Sequence, residues 1–351
     1  MTAIDYRHLG RSALRVSPLT LGTMMFGRET DEATSHRIID RARDQGINSL
    51  DTADAYSKGE SEKITGRGIA KQRDHWVLAT KFANALGDGP NQRGISRKWI
   101  VENVEASLKR LGTDYIDILY FHRAPFDEPL GEAVRAIADL VRQGKLRYFG
   151  VSNFRGFRIS EVAHLADQYG IDRPIVSQPL YNLVTRTAEA EQLPAAAFNG
   201  LGVISYSPLA RGVLTGKYQP GAEPAPDSRA GRKDPRILNT EYRPESLDIA
   251  QRIQRHAAAR GISALDFALA WVLHNRLVTS AIAGPRTEAQ WDSYLPALDY
   301  RLTAEDEAFV DSLVPPGHAS THGWNDPSHP PEGRVPGPFA EGVAAAAQKA
   351  A

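Results

Sequence analysis

Runs of apolar, β-rich residues alternate with amphipathic stretches along almost the whole of this 351-residue chain. Such alternation predicts βα units, because parallel strands can be joined only by a long crossover, usually a helix. Eight strand candidates stand out: Leu19–Thr23, Ile47–Asp51, Trp76–Lys81, Tyr115–Phe121, Leu146–Val151, Ile175–Gln178, Val203–Tyr206 and Thr279–Ala283. Helical patterns separate them. Asp31–Gln45 puts Ile38, Ile39 and Ala42 on one face and stops at Gly46; Ser96–Leu111 and Leu130–Gln143 stop at Gly112 and Gly144. Further helical patterns cover Ser61–Ala70, Gly156–Tyr169, Thr187–Asn199, Pro244–Arg260, Ser263–Leu273, Thr287–Leu295 and Thr303–Ser312, the last opening on a Thr303/Asp306 capping-box spacing. Eight such units predict an α/β fold, a closed (β/α)8 TIM barrel of roughly 250 residues. The surplus falls in an N-terminal hairpin, a long Pro-, Gly- and charge-rich loop from Gln219 to Pro244, and a tail. Residues 1–313 read as one barrel domain. Residues 314–351 read as a surface tail, or as a flap over the barrel mouth carrying Trp324 or His318.

Composition excludes several functions. The 42 Lys+Arg balance the 42 Asp+Glu, so neither nucleic acid nor an anionic membrane has an excess charge to attract. With no cysteine, thiolate nucleophiles and Cys-ligated metals are impossible. No apolar run approaches the roughly 18 residues that span a bilayer. The first residues, with Asp5, Arg7 and Arg11, lack the apolar core of a secretory signal, which points to the cytoplasm.

In such a barrel, chemistry gathers where strand ends and βα loops converge. The strand exits here carry Asp51 with Tyr56 just beyond, then Lys81, His122, Ser152 with Asn153, Gln178, Tyr206 and Gly284. Singly, each has a bland reading as a capping or structural residue. Together they suit one reaction. A tyrosine at its ordinary pKa near 10 is a poor acid, and a neighbouring ammonium would lower that pKa. An aspartate would keep the lysine charged. A histidine could orient a carbonyl oxygen by one hydrogen bond. No side chain donates hydride, so a reduction needs a cofactor.

The segments LGTMMFG (21–27), LDTADAYSKGESE (50–62), LATKF (78–82), YIDILYFH (115–122), GVSNF (150–154), SQPLYN (177–182), YSPLARGVLTGKY (206–218) and AGPRTEAQ (283–290) resemble the aldo-keto reductase superfamily. The long insertion and the YSPLARGVLTGKY form are closer to its bacterial branch related to potassium-channel beta subunits. The resemblance implies Tyr56 as general acid, Lys81 as its pKa modulator, Asp51 as the partner of Lys81, and His122 as the carbonyl-orienting residue. It also implies a nicotinamide dinucleotide held without a Rossmann fold. Gly22, Thr23, Met24 and Asp51 would contact it; Ser152, Asn153 and Gln178 would hold its carboxamide; Tyr206 would stack on the nicotinamide. Ser207, Leu209, Arg211 and Gly212 would line the diphosphate. Gly284, Arg286, Thr287 and Gln290 would take a 2′-phosphate, which favours NADPH over NADH, with the following helix N-terminus also favouring an anion. Ser293 and Tyr294 stand where many members carry Glu and Asn against the adenine.

The substrate pocket is expected to include Met24, Met25, Tyr56, Phe82, Asn84, His122 and Arg123. Arg123 either receives a polar or anionic group on a small carbonyl compound or forms a rim ion pair. The expected function is carbonyl reduction to an alcohol by a monomer or homo-oligomer. The alternative is a non-catalytic nucleotide-binding interaction subunit on the same barrel. A metal-dependent hydrolase is a third reading. Its only support is the His318/His322 spacing in the tail, where solvated histidines are the better account.

Overall fold

The computed structural model describes residues 4–123 and 128–329. Two short antiparallel strands come first, β1 (Arg7–His8) and β2 (Arg15–Val16). Eight parallel strands then close into a barrel: β3 (Leu19–Gly22), β4 (Ser49–Asp51), β5 (Val77–Phe82), β6 (Ile116–Phe121), β7 (Leu146–Ser152), β8 (Val176–Gln178), β9 (Gly202–Ser205) and β10 (Ser280–Ala283). β10 pairs with β3, Ala283 opposite Leu21, so the sheet has no free edge. The predicted barrel and its N-terminal hairpin are both present.

Helices α1 (Glu32–Asp44), α2 (Glu60–Ile69), α3 (Arg97–Leu111), α4 (Leu130–Arg142), α5 (Gly156–Gln168) and α6 (Gln192–Asn199) follow successive strands. Then come α7 (Pro235–Asn239), α8 (Pro244–Ala259), α9 (Ala264–His274), α10 (Glu288–Asp292) and α11 (Ala304–Leu313). Side-chain caps set their starts: Asp31 accepts from Thr34 N, Ser96 from Trp99 N, and Ser263 and Thr303 form capping boxes with Asp266 and Asp306. Two predicted helices are broken. Residues 187–199 hold a 3₁₀ turn before α6, and residues 287–298 hold only five α-helical residues before a second 3₁₀ turn around Pro296. α7 is a short helix inside the stretch read as loop.

Strand parity divides the core. In β5, Val77 and Ala79 join an inner cluster with Ile118, Tyr120, Val176 and Ile204, whereas Leu78 and Phe82 join the outer cluster under the helices. Leu9 and Val16 of the hairpin complete the inner cluster and close the N-terminal end of the barrel. Gly10 makes that possible, since a Cβ there would sit 2.6 Å from the Gly200 carbonyl oxygen. Lys81 shares the inward parity of Val77 and Ala79. This corrects the expectation for Phe82: it is fully buried on the outward face, its ring 4.8 Å from that of Phe121, and it cannot line a pocket at the mouth.

After α11 the chain returns across the mouth loops. The Arg186 N–H donates to the His318 carbonyl at 2.8 Å, and the Ser320 N–H to the Val184 carbonyl at 3.0 Å. The Arg243 guanidinium lies 4.1 Å from the centre of the Trp324 ring. Arg236 grips Asp326 with both terminal nitrogens, at 2.7 and 2.5 Å. The remainder of the tail, residues 330–351, lies outside the described residues. Among those described, no helix is long and apolar enough to cross a membrane, and no group of three His, Cys, Asp or Glu is placed to hold a metal ion. The His318 ring bonds, among the described residues, to the nearby Pro316 carbonyl.

Candidate active site

Asp51 ends β4, Tyr56 follows in a 3₁₀ turn, Lys81 ends the inward row of β5, and His122 comes one residue after β6. The barrel brings all four to one place. The Lys81 ammonium, completely buried, donates to the Asp51 Oδ1, to the Thr52 carbonyl at 2.7 Å and to the Tyr56 hydroxyl at 3.3 Å. Those three contacts use its three donors. Gln178 Nε2 donates to the other Asp51 oxygen at 2.8 Å, so the carboxylate is paired on both sides. The Tyr56 and His122 rings meet edge to face, centroids 6.0 Å apart.

The electrostatics follow from burial. Lys81 is pushed down by desolvation, but Asp51 and the hydrogen bonds outweigh that and hold its pKa above the ordinary value. The ammonium therefore stays charged. For Tyr56 burial raises the pKa and Lys81 opposes it without winning. This corrects the expectation of a net lowering: the phenol remains protonated at neutral pH, the form a proton donor needs. His122 is held well below its ordinary value, first by burial and then by the charges of Lys81 and Arg123. Its imidazole is neutral.

Tyr56 and His122 open onto a cavity of about 670 Å³ that runs from Met24 and Met25 to Gln290 and Tyr294. Ser152, Asn153, Gln178, Tyr206, Ser207, Leu209, Arg211, Gly212, Gly22, Thr23, Gly284 and Arg286, the residues the resemblance assigns to a dinucleotide, all line it. They are cross-linked. The Tyr206 hydroxyl donates to Asn153 Oδ1 at 2.7 Å; Asn153 Nδ2 donates to Ser152 Oγ at 3.1 Å; Ser152 Oγ donates to the Gln178 carbonyl at 2.9 Å. The segment 207–212 is wound tightly, with Ser207, Ala210 and Arg211 all at positive φ. Arg211 is fixed by buried Glu241 at 2.9 Å. Thr287 is the exception. Its side chain accepts from Gln290 N as the N-cap of α10 and does not line the cavity; with five residues, α10 has little dipole to offer.

Among the described residues, eight Lys or Arg side chains line this cavity against two carboxylates, Asp51 and Asp234. Glu241, Asp326 and Glu29, just outside the lining, pair with Arg211, with Arg236 and with Arg28 and Arg232, and the positive surplus that remains, in a chain with no net charge, suits a ligand with several phosphates. Sequence reading missed Arg28, Lys217, Arg229, Arg232 and Arg236, and the tail residues Ser328 and His329, all of which line it. Lys217 stands in the YSPLARGVLTGKY segment; nothing local marks the others, which only the closed fold brings together. Arg123 is exposed and lines this cavity and a neighbouring one.

Comparison with known proteins agrees with the geometry. The model of the aldo/keto reductase family matches residues 18–315. The chain belongs to the aldo/keto reductase family. A probable voltage-gated potassium channel subunit beta of Arabidopsis thaliana is 37% identical over 301 residues, covering 84% of this chain and 92% of that relative. The corresponding protein of Oryza sativa subsp. japonica is 38% identical over 318 residues, 89% of this chain and 97% of the relative. An uncharacterized oxidoreductase of Bacillus subtilis, YrpG, is 38% identical over 324 residues, 89% and 96% respectively. As an aldo/keto reductase, the protein is an oxidoreductase.

Proposed function

We propose that this aldo/keto reductase reduces an aldehyde or ketone to an alcohol with NADPH, Tyr56 delivering the proton. The observation that carries the reading is the buried Asp51–Lys81–Tyr56 chain beside a neutral His122, at the floor of a cation-lined cavity. When bound, the reduced nicotinamide supplies the hydride that no side chain can. The residues present fit such a group: Ser152, Asn153 and Gln178 would hold its carboxamide, Tyr206 its ring, Ser207–Gly212 its diphosphate, and Arg286 with Gln290 its 2′-phosphate.

The chain's own groups do the rest. His122, being neutral, keeps a ring N–H to direct the carbonyl oxygen. Tyr56 hands its proton to that oxygen. The phenolate left behind faces Lys81 at 3.3 Å, an attraction on the order of 5 kcal/mol at an effective dielectric near 20. Since 1.36 kcal/mol is tenfold in rate, that stabilisation is large enough to matter. Asp51 keeps the ammonium charged and aimed. Small polar carbonyl compounds are the substrates proposed, because Arg123 borders the pocket.

The test is loss of NADPH absorbance with an aldehyde panel, for wild type and Tyr56→Phe. The variant should lose about 10²–10⁴-fold in kcat while NADPH Kd stays within about twofold. Full activity in Tyr56→Phe would sink the acid assignment. The plant relatives' names favour one other reading, a nucleotide-binding subunit of a larger assembly. Tight NADPH binding with no turnover on any carbonyl would support that reading instead.

A further inference from the structure

Asn84 stands two residues beyond β5, and its Nδ2 lies 2.8 Å from Nδ1 of His122. An amide nitrogen carries two hydrogens and offers no lone pair. Contact through Nδ2 therefore has one polarity: Asn84 donates and Nδ1 accepts. A neutral imidazole holds one ring proton, so with Nδ1 accepting, that proton sits on Nε2. Nε2–H is then the donor that His122 can present to the cavity it shares with Tyr56.

The surroundings fix this arrangement. Ala83, immediately before Asn84, has φ +92°, a region that residues with a side chain rarely enter. Such strain persists only where the surroundings impose it. Here Ala83 is buried, and its carbonyl accepts from the Gly94 N–H at 3.2 Å. The backbone of His122 is pinned as well. Its N–H donates to the Phe82 carbonyl at 2.9 Å, and its carbonyl accepts from Asn153 Nδ2 at 2.9 Å. The groups whose charges reach the ring are Lys81, Arg123 and His329, and Tyr56 lies against it. None is a carboxylate, so a neutral amide is left to choose the tautomer. The choice matters: the other tautomer would turn a lone pair toward a substrate oxygen.

We propose that Asn84 is a positioning residue that fixes His122 as its Nε2-protonated tautomer, so that the ring donates to the carbonyl oxygen. The donation to substrate rests on the carbonyl-reduction reading above. The tautomer does not, because it exists without turnover.

Nitrogen NMR of the ¹⁵N-histidine-labelled protein reads the tautomer directly, with His122→Asn assigning the signals. Wild type should show Nδ1 unprotonated and Nε2 protonated across neutral pH. In Asn84→Asp the carboxylate can only accept, so the ring proton should move to Nδ1. The His122 pKa should then rise, and because the imidazolium regains an Nε2–H, part of the lost activity should return as pH falls through it. Aldehyde kcat should fall about 10²–10³-fold, as for loss of one oxyanion donor, with NADPH Kd within about twofold. A wild-type ring protonated on Nδ1 overturns the proposal, as does a tautomer unchanged in Asn84→Asp. Should Asn84→Asp fail to fold, the wild-type spectrum alone decides. A wild type with the expected tautomer and no carbonyl turnover would overturn the catalytic reading and leave the tautomer assignment standing.

Discussion

Replacing Asp54 with Asn perturbs the loop that carries Tyr56 without touching the reacting groups. Asp54 is almost fully buried; Oδ2 accepts from Asn103 Nδ2 at 2.8 Å, while Oδ1 has no hydrogen bond among the described residues. Burial raises its pKa to about 7, and the charge of buried Glu62 adds to the rise. From the ordinary 3.8 that is about three units, or roughly 4 kcal/mol at 1.36 kcal/mol per unit. The sign follows from proton counts. Between about pH 4 and 7 the native carboxyl keeps a proton that the unfolded chain has released. Wild-type stability therefore falls as pH rises through that window and levels off above it. Asn does not titrate, and its amide oxygen can still accept from Asn103. The variant's advantage should grow by up to about 4 kcal/mol between pH 4 and 8. At roughly 2.1 cal/mol/K per residue over this chain, that is a Tm difference of about 5 °C. Calorimetry or urea unfolding at both ends of the range measures it. A difference that does not change with pH would refute the reasoning.

Lys81→Met leaves Asp51 buried with only Gln178 beside it. It should cost about 3–5 kcal/mol of stability and abolish turnover, whereas adding Asp51→Asn should restore most stability and no activity. Urea unfolding of both variants separates charge from packing. Arg123→Ala should raise KM for polar or anionic aldehydes much more than for benzaldehyde-like ones; an equal effect on both would remove Arg123 from the pocket. Asp326→Ala breaks the grip of Arg236 on the tail and should raise aldehyde KM, tenfold for each 1.4 kcal/mol of tail ordering lost. Burial pushes the Asp326 pKa up, but Arg236 outweighs it, so the grip should hold above the ordinary carboxylate range and loosen as pH falls below about 4. Steady-state kinetics on the variant, and on wild type down to that pH, check both points.

The barrel was legible because its signals are local. Alternation, the caps Asp31, Ser96, Ser263 and Thr303, and the stops Gly112 and Gly144 each act within a few residues. The four residues at the strand exits were legible for the same reason. The outward position of Phe82 is legible too, since strand parity opposes it to Lys81. α7 also had a signal, Asp234 capping a helix with Pro235 in its first turn, inside a stretch whose composition reads as loop. The pairing of Arg211 with Glu241 was not legible. It joins positions 30 residues apart through a loop, and no periodicity foretells it. The convergence of Arg229, Arg232 and Arg236 with His329 is of the same kind: long-range packing chooses it after the strands are in place.

Closure of the sheet has a consequence for biosynthesis. Gly22 and Gly284 sit side by side, a Cβ on one being 3.8 Å from the carbonyl oxygen of the other, yet the ribosome makes one long before the other. A nascent chain lacking β10 therefore has no complete cavity at the barrel mouth. The nucleotide proposed above would reward only the finished topology, and so would stabilise complete molecules over every truncated product.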